Sequence, residues 1–558
     1  MTNSAIADNF SLLSKLMDIY GDNAFKSKSY SIAAFTIENL PQELSLLDTN
    51  KIASIKGIGD SVAKKIIEQL DTETLSVLDE MISKTPQGIL EMLQHIKGLG
   101  PKKISTIWKE MEIETIGELL YACNENRLTL YKGFGEKTQQ SIKNSIEFYY
   151  STFGNYLYAQ IETYAVSFNQ MIKAQFSNFK FEMVGDFKRQ LSVIDKIEWV
   201  TTSSKKILTD FFTANNYHVE SEDDEYIAFK GNENVLLKFY LCNNESYYYT
   251  QFKHNCSQEF LAYFKEDFEI DEKKFYTSEE DFFSINNLEF IPAYKREEDK
   301  IIQLAKKNNL PKTITEKDIK GIIHSHSKWS DGSNTLEEMA TAAKAKGLEY
   351  LVISDHSKTA FYAQGLQVER VLAQHKEIEE LNNKLTPFKN FKSIESDILN
   401  DGSLDYTDDV LNTFDIVIAS IHSNLSMPEE KAMARLLKAI ENPYTSILGH
   451  MTGRLLLSRN GYPINHQKII DACAANNVVI ELNAHPRRLD IDWKWINKAL
   501  EKNVLISINP DAHSIEGFDD CKYGILVAQK TCLTATNNLS SFTLKQFEEF
   551  VAQQKLKR

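Results

Sequence analysis

The strongest constraint on this chain is a rhythm that begins at residue 319. Seven short apolar runs of β type alternate with amphipathic helical segments: IKGIIHSHS at 319, LEYLVISDHS at 348, FKSIESDIL at 391, IVIASIHS at 416, SILGH at 446, VVIELNA at 478 and LISINPDAH at 505. Strands separated by helices pair in parallel through right-handed crossovers, so seven such units predict a seven-stranded (β/α) barrel over 319–558.

Six of the seven runs carry a metal-binding type of side chain at their ends. The first supplies His324 and His326, with Asp331 just beyond; the others supply His356, Glu395, His422, His450, and finally Asp511 with His513. In a parallel barrel the C-terminal strand ends converge on one mouth, which brings these distant residues together. Imidazoles and carboxylates without thiolates suit Mn²⁺, Zn²⁺ or Fe²⁺, and nine ligands with a bridging carboxylate serve up to three ions. Such a cluster activates water and neutralises phosphoryl oxygens, so the predicted chemistry is metal-assisted phosphoester hydrolysis with no protein nucleophile. Arg454, Arg459 and Arg487, with neighbouring Arg488, are candidates for holding substrate phosphate, and Trp329 for stacking on a base or walling the pocket. His375, His466 and His485 occupy no strand-end position and are read as structural or surface residues.

The first 150 residues have a different character. Ile55-Lys-Gly-Ile-Gly59, Ile96-Lys-Gly-Leu-Gly100 and Tyr131-Lys-Gly-Phe-Gly135 each lead into an amphipathic helix. The paired glycines Gly57 and Gly59, Gly98 and Gly100, and Gly133 and Gly135 leave helix N-terminal amides open to a phosphate, while Ile58, Leu99 or Phe134 packs between two helices. This helix-hairpin-helix pattern predicts binding to the DNA backbone without reading of bases. The binding must be local: the whole chain carries a formal charge of -15, and residues 1–150 hold 16 basic against 20 acidic side chains.

Between these halves, residues 151–300 alternate apolar runs such as FKFEMVGDF, KIEWVTT and NVLLKFYLC with helical stretches, predicting an α+β domain; 301–318 is read as a linker. No apolar stretch reaches the roughly 20 residues of a membrane span. The segment Met1–Phe10 has no signal-like pattern, and six cysteines are scattered without CxxC spacing, so a cytoplasmic protein is expected.

The strings HSHSKWSDG, ISDHS, ESDILNDGSLDY, ASIHS, GHMTGRLLLSRNGY, ELNAHPRRLDID and NPDAHS closely resemble the polymerase-and-histidinol-phosphatase (PHP) domain of bacterial family-X DNA polymerases (PolX), and the likeness covers nearly the whole chain. Upstream, FKSKSYSIAAFTIENLP at 25–41 resembles that family's lyase-like domain. The resemblance implies a lyase-like helical domain over 1–90 and a fingers-like hairpin domain over 91–150. It further implies a nucleotidyltransferase-like palm and thumb over 151–300 and a PHP phosphoesterase over 319–558. It implies gapped, nicked or 3'-ended DNA as partner, and a manganese-dependent 3'-5' exonuclease and DNA-end phosphoesterase. All nine residues match family metal ligands. The implied partition gives one ion to His324, His326, Glu395 and Asp511, a second to Glu395 and His422, and a third to Asp331, His356, His450 and His513.

The polymerase signature departs from the family. In Gly185-Asp-Phe-Lys-Arg-Gln-Leu-Ser-Val-Ile-Asp-Lys-Ile-Glu198, Asp186 stands where the family has a phosphate-binding Ser, while Lys196 and Glu198 stand where it has the paired metal-binding Asp residues. Leu236 takes the place of the third Asp, and shifting the register by one restores Asp195 but puts Ile197 in its partner's place, so either register breaks the metal pair. An ammonium at a cation site adds repulsion to lost ligands, so little or no templated synthesis is predicted. Lys65 matches the position of the family's Schiff-base lysine. The preferred expectation is a DNA-repair nuclease. The alternatives are an active gap-filling polymerase, a small-molecule phosphatase of the histidinol-phosphatase type, and a silent DNA-binding scaffold.

Overall fold

The computed structural model describes all residues except 41, 125, 126, 232, 233, 269 and 273, and the side chains of 50, 124 and 151 are also left aside. The chain divides into two compact units, Met1–Phe153 and Gly154–Arg558.

Every regular element among the described residues of the first unit is a helix. Each predicted hairpin is present. Gly57, Gly98 and Gly133 adopt φ of +96°, +84° and +93°, a left-handed conformation that costs side-chain-bearing residues about 1–2 kcal/mol. Gly59, Gly100 and Gly135 then cap the helices Asp60–Thr72, Pro101–Lys109 and Glu136–Thr152, with open space where a Cβ would stand. Ile58, Leu99 and Phe134 are buried in one core with Phe10, Ile66, Ile104 and Ile146. The apolar residue between the glycines therefore anchors each turn and leaves its amides outward.

In the second unit a five-stranded sheet runs in the spatial order Phe181–Val184, Lys196–Thr201, Leu236–Leu241, Tyr226–Lys230, His218–Glu222. Its core is aromatic: Trp199 stacks on Phe239 at 5.1 Å and Phe212 on Phe229 at 4.3 Å. The fully exposed edge strand carries Glu220 and Glu222, charges that oppose pairing with another chain.

The stretch 301–318, expected as a linker, is packed into its surroundings. Helix Lys300–Ala305 buries Ile301, Ile302 and Ala305 against Phe252, Phe264 and Phe283, and Ile314 lies in the barrel core. Its apolar residues recur at helical spacing amid a polar composition, and the buried minority decides the outcome.

The barrel forms as predicted. Seven parallel strands lie in sequence order: Gly321–Ser325, Tyr350–Ile353, Lys389–Asp397, Ile416–Ser420, Ile447–Leu448, Val479–Asn483 and Ile506–Asn509. The first and last approach through a Ser325–Ala512 bridge, with the His326 amide donating to the Ala512 carbonyl at 2.8 Å. Tyr350, Phe391 and Phe547 fill the N-terminal end, the last from the closing helix Leu544–Lys555; Tyr350 and Phe547 stack at 4.4 Å. With that end plugged by rings, the polar site is left to the opposite mouth.

Candidate metal centre

All nine strand-end residues meet at the C-terminal mouth. His324 and Asp511, on neighbouring first and last strands, hold φ of +66° and +54°, rare for side-chain-bearing residues. At the first, the register between the first two strands shifts between Ile322 and Ser325. Strain of this kind persists where surrounding contacts enforce it, and here it turns both side chains into the mouth.

Glu395 is the centre of the cluster. Its Oε1 lies 3.3 Å from His324 Nε2, 3.1 Å from His422 Nε2 and 2.9 Å from His450 Nε2; its Oε2 lies 3.0 Å from His356 Nδ1 and 3.7 Å from His326 Nε2. Asp511 Oδ1 faces His326 Nε2 at 3.1 Å and His324 Nε2 at 3.4 Å. Asp331 faces His513 at 3.4 Å, His356 at 3.6 Å and His326 at 3.8 Å. Three overlapping groups result: His326, Asp331, His356 and His513; His324, His326 and Asp511; and His356, Glu395 and His422. The implied partition needs one correction. His450 sits against Glu395 with its ring 5.2 Å from that of His422, rather than with the Asp331 group, because its strand lies next to the His422 strand.

The donor set fits divalent ions. His324 Nε2, His326 Nδ1, His356 Nδ1, His450 Nδ1 and Glu395 Oε2 are buried without a hydrogen-bond partner. Buried polar atoms left this way are costly, and ligands about 2.0–2.2 Å from one ion naturally stand close to each other without hydrogen bonding.

Residues that the sequence patterns did not single out hold the imidazoles in place. Glu481, on the sixth strand, accepts from His324 Nδ1 at 2.6 Å, Asn509 Nδ2 at 2.8 Å, Asn483 Nδ2 at 2.9 Å and the His450 amide at 3.1 Å. Asp397 accepts from His422 Nδ1 at 2.5 Å. These bonds keep a proton on Nδ1 of His324 and His422 and turn Nε2 of each toward the cluster, where it would bind an ion on losing its own proton. Asp355 gathers Ser327, Ser330 and Gln374, which fixes the loop carrying Asp331. An acid inside an otherwise apolar run, as in VVIELNA, was the available signal for Glu481.

Electrostatics follow from the same contacts. Burial opposes charge on His324, but Glu481, Asp511 and Glu395 outweigh it and hold its pKa well above the usual value. His356 is likewise carried up to about 10 against burial by Glu395 and Asp331, and His422 to about 9 by Glu395 and Asp397. His326, buried between His513 and His356, falls to about 3. Despite burial, the surrounding imidazoles hold Glu395 and Asp511 well below the carboxylate range.

The candidate phosphate-binding arginines are placed differently from one another. Arg454 is committed to structure, donating to Asp492 at 2.7 Å and to the Arg488 and Leu489 carbonyls. Arg459 donates from Nε and Nη2 to the Gly453 carbonyl at 3.1 and 2.8 Å, and Arg487 is exposed. Arg488 reaches the cluster, with Nε 3.4 Å from Asp511 Oδ2. Trp329 is engaged elsewhere: its indole N–H donates to Glu377 at 2.8 Å and its ring packs against the core. Of the histidines outside the cluster, His375 packs edge-on to Phe414, His466 stacks on Trp495, and His485 Nδ1 accepts from the Arg487 amide.

The polymerase-like positions form no comparable group. Lys196 pairs in register with Leu236, and Glu198 with Lys238, on parallel strands. The buried Glu198 carboxylate accepts from Tyr240 Oη at 2.6 Å and fills the space a Cβ at Gly185 would need, 1.9 Å away. Asp186 pairs with Arg189 at 2.8 Å, and Lys196 with Asp195 at 3.1 Å. Among the described residues, every group of three or more His, Cys, Asp and Glu suited to an ion lies in the barrel. In the helical unit, Lys65 lines a cleft of about 400 Å³ with Lys26, Tyr30, Lys84 and Met17.

Comparison with known proteins agrees with this layout. A helix-hairpin-helix domain matches residues 1–75, a SAM-like helix-hairpin-helix tandem 90–147, and a PHP domain 323–485. Probable phosphatases of Thermoanaerobacter sp. (strain X514) and Caldanaerobacter subterraneus subsp. tengcongensis are each 28% identical over 201 and 207 residues, or 34% of this chain and 77% and 74% of theirs. The DNA polymerase/3'-5' exonuclease PolX of Bacillus subtilis (strain 168) is 32% identical over 562 residues, spanning 96% of both chains. A match of that extent, carrying the helical hairpins and the PHP barrel in one order, places this chain in the PolX family.

Proposed function

We propose that this protein is a DNA-repair nuclease whose barrel hydrolyses phosphodiesters at DNA 3' ends, in the 3'-5' direction, with up to three divalent ions, Mn²⁺ foremost and Zn²⁺ or Fe²⁺ as the other candidates. One observation carries the reading: Glu395 lies within 3.7 Å of five imidazoles, in a cluster where His324 Nε2, His356 Nδ1 and Glu395 Oε2 are buried without hydrogen-bond partners. His324, His326 and Asp511 would hold one ion, His356, Glu395 and His422 another with His450 alongside, and Asp331, His326, His356 and His513 a third. When bound, such ions supply Lewis acidity toward phosphoryl oxygen and water and offset charge on the leaving alkoxide.

The protein's own groups do the positioning. Glu481 and Asp397 keep His324 and His422 in one tautomer, and Glu395 spans the cluster. Arg488 offers a guanidinium at the rim for a phosphate oxygen, with Arg459 and Arg487 secondary and Arg454 supporting the loop. The hairpin amides behind Gly57/Gly59, Gly98/Gly100 and Gly133/Gly135 hold gapped, nicked or 3'-ended DNA by its backbone.

Loss of templated synthesis belongs to the same reading. Lys196, Leu236 and the internally bonded Glu198 offer no carboxylate cluster for a nucleotide-bound metal. A cytoplasmic placement accords with six free cysteines, and among the described residues no helix is long and apolar enough to cross a membrane. The cleft around Lys65 supports an additional lyase step through its amine.

The deciding experiment is a time course on end-labelled DNA with Mn²⁺, Mg²⁺ or chelator, with and without deoxynucleotides. Stepwise 3' shortening that requires metal and vanishes in His324→Ala/Asp511→Ala is expected. Unchanged shortening in that variant would falsify the assignment.

A further inference from the structure

The loop after the second barrel strand turns two large rings into solvent beside the imidazoles. Phe361 is 85% exposed and Tyr362 62%. Their rings lie 5.9 Å apart, edge to face, and the Tyr362 ring is 6.4 Å from that of His356. Leaving adjacent aromatic side chains in water forfeits the burial energy that usually draws them inward, and such exposure at a rim marks a contact surface.

The loop holding them is well tied down. The Thr359 amide donates to Asp405 at 2.7 Å and its hydroxyl to Asp397 at 2.6 Å; the Leu366 amide donates to the His356 carbonyl at 2.9 Å. At Gly365 the backbone passes so close to the Ser357 carbonyl that a Cβ would stand 1.9 Å from it. Asp397 also holds His422, so one carboxylate sets the aromatic pair and an imidazole relative to each other. Partial burial and the charges of Asp397, Glu395 and Asp331 raise the Tyr362 pKa, keeping its ring a neutral phenol.

We propose that Phe361 and Tyr362 form a stacking platform for unpaired bases at a DNA 3' end, which brings the terminal phosphodiester to the metal centre and selects single strands over closed duplex. The proposal rests on the hydrolase reading above. Aromatic rings stack on any base, which gives grip without sequence preference. Bases within a duplex are already stacked and must unpair before they reach the platform, whereas a frayed or unpaired end meets it directly. Trp329 cannot serve, since its indole is bonded to Glu377 and packed into the core.

The test uses the full chain and the variant Phe361→Ala/Tyr362→Ala, with Phe361→Tyr as the conservative control. A single strand ending in 3' 2-aminopurine, bound in Ca²⁺, reports stacking by fluorescence quenching. Quenching by the unaltered protein and by Phe361→Tyr, lost in the double variant, is expected. In Mn²⁺ the double variant's KM for a single-stranded oligonucleotide should rise roughly 5- to 150-fold, the range for losing one stacked base. The corresponding change on bis(p-nitrophenyl) phosphate, which carries no nucleobase and no strand beyond its one phosphodiester, should stay below about twofold. Retained quenching with an unchanged KM, or equal losses on both substrates, would overturn the platform. If the unaltered protein hydrolyses neither substrate, the hydrolase reading fails, and the quenching comparison alone decides the platform.

Discussion

His324 gives its Nδ1 proton to Glu481 across 2.6 Å, although the two fully buried side chains lie 157 residues apart on the first and sixth barrel strands. Glu481 also accepts from Asn483, Asn509 and the His450 amide, so one carboxylate governs two imidazoles of the cluster. Glu481→Gln should lower affinity for the activating metal by about 10–100-fold while keeping the fold. Glu481→Ala should also lower stability, at about 1–3 kcal/mol for each buried donor left without a partner. Chelator competition and thermal melting separate the two effects; metal affinity in Glu481→Gln equal to that of the unaltered protein would refute the positioning role.

Lys56 and Lys132 stand exposed beside the first and third hairpin glycines. If the hairpins hold DNA by its backbone, Lys56→Ala/Lys132→Ala should weaken binding evenly across sequences. It should also flatten the slope of log affinity against log salt by about two, near one for each lost phosphate contact. Titrations at several salt concentrations check this, and an unchanged slope would remove these hairpins from the DNA contact.

Glu297 joins Arg189 at 3.1 Å to Lys530 at 2.8 Å, both within the second unit, and the Lys530 ammonium is almost fully buried. Replacing Glu297 with Ala strands that charge, and the expected cost is about 3–5 kcal/mol of stability. Denaturant unfolding monitored at the aromatic core measures it. A loss below about 1 kcal/mol would mean the ion pair is dispensable.

Lys196, Leu236 and Glu198 predict that Mg²⁺ or Mn²⁺ with deoxynucleotides gives no extension of a gapped primer above background. Glu198→Ala should leave 3' shortening intact, since its partners are Tyr240 and the Asp186 amide rather than the barrel cluster. Extension that Glu198→Ala abolishes would restore the gap-filling alternative.

Lys65 lines a cleft with Lys26 and Lys84, cationic side chains suited to a 5' phosphate beside the amine. Borohydride should therefore trap this chain on DNA bearing a 5' deoxyribose phosphate, and Lys65→Ala should abolish the adduct. Trapping that persists in Lys65→Ala would assign the nucleophile elsewhere.

Periodicity and turn chemistry fixed much of the architecture in advance. Alternating apolar runs and helices imply the barrel, and residues closing those runs must share one mouth once the strands are parallel. Paired glycines around Ile58, Leu99 and Phe134 imply three hairpins because only that spacing buries the apolar residue and frees the amides. These features are local, with each decided within a few residues of chain.

The remainder depends on partners remote in sequence. Glu481 looks like one acid in a strand until His324 arrives beside it, and His450 joins Glu395 only through strand adjacency. Arg454 and Trp329, both eligible to touch substrate, are claimed by Asp492 and Glu377, while Phe361 and Tyr362 remain exposed. The sequence by itself determined which side chains could bind metal and DNA, because residue chemistry and strand or helix period are written along the chain. Tertiary structure decided which of them are free to do so, because hydrogen bonding and burial are settled only when distant segments meet.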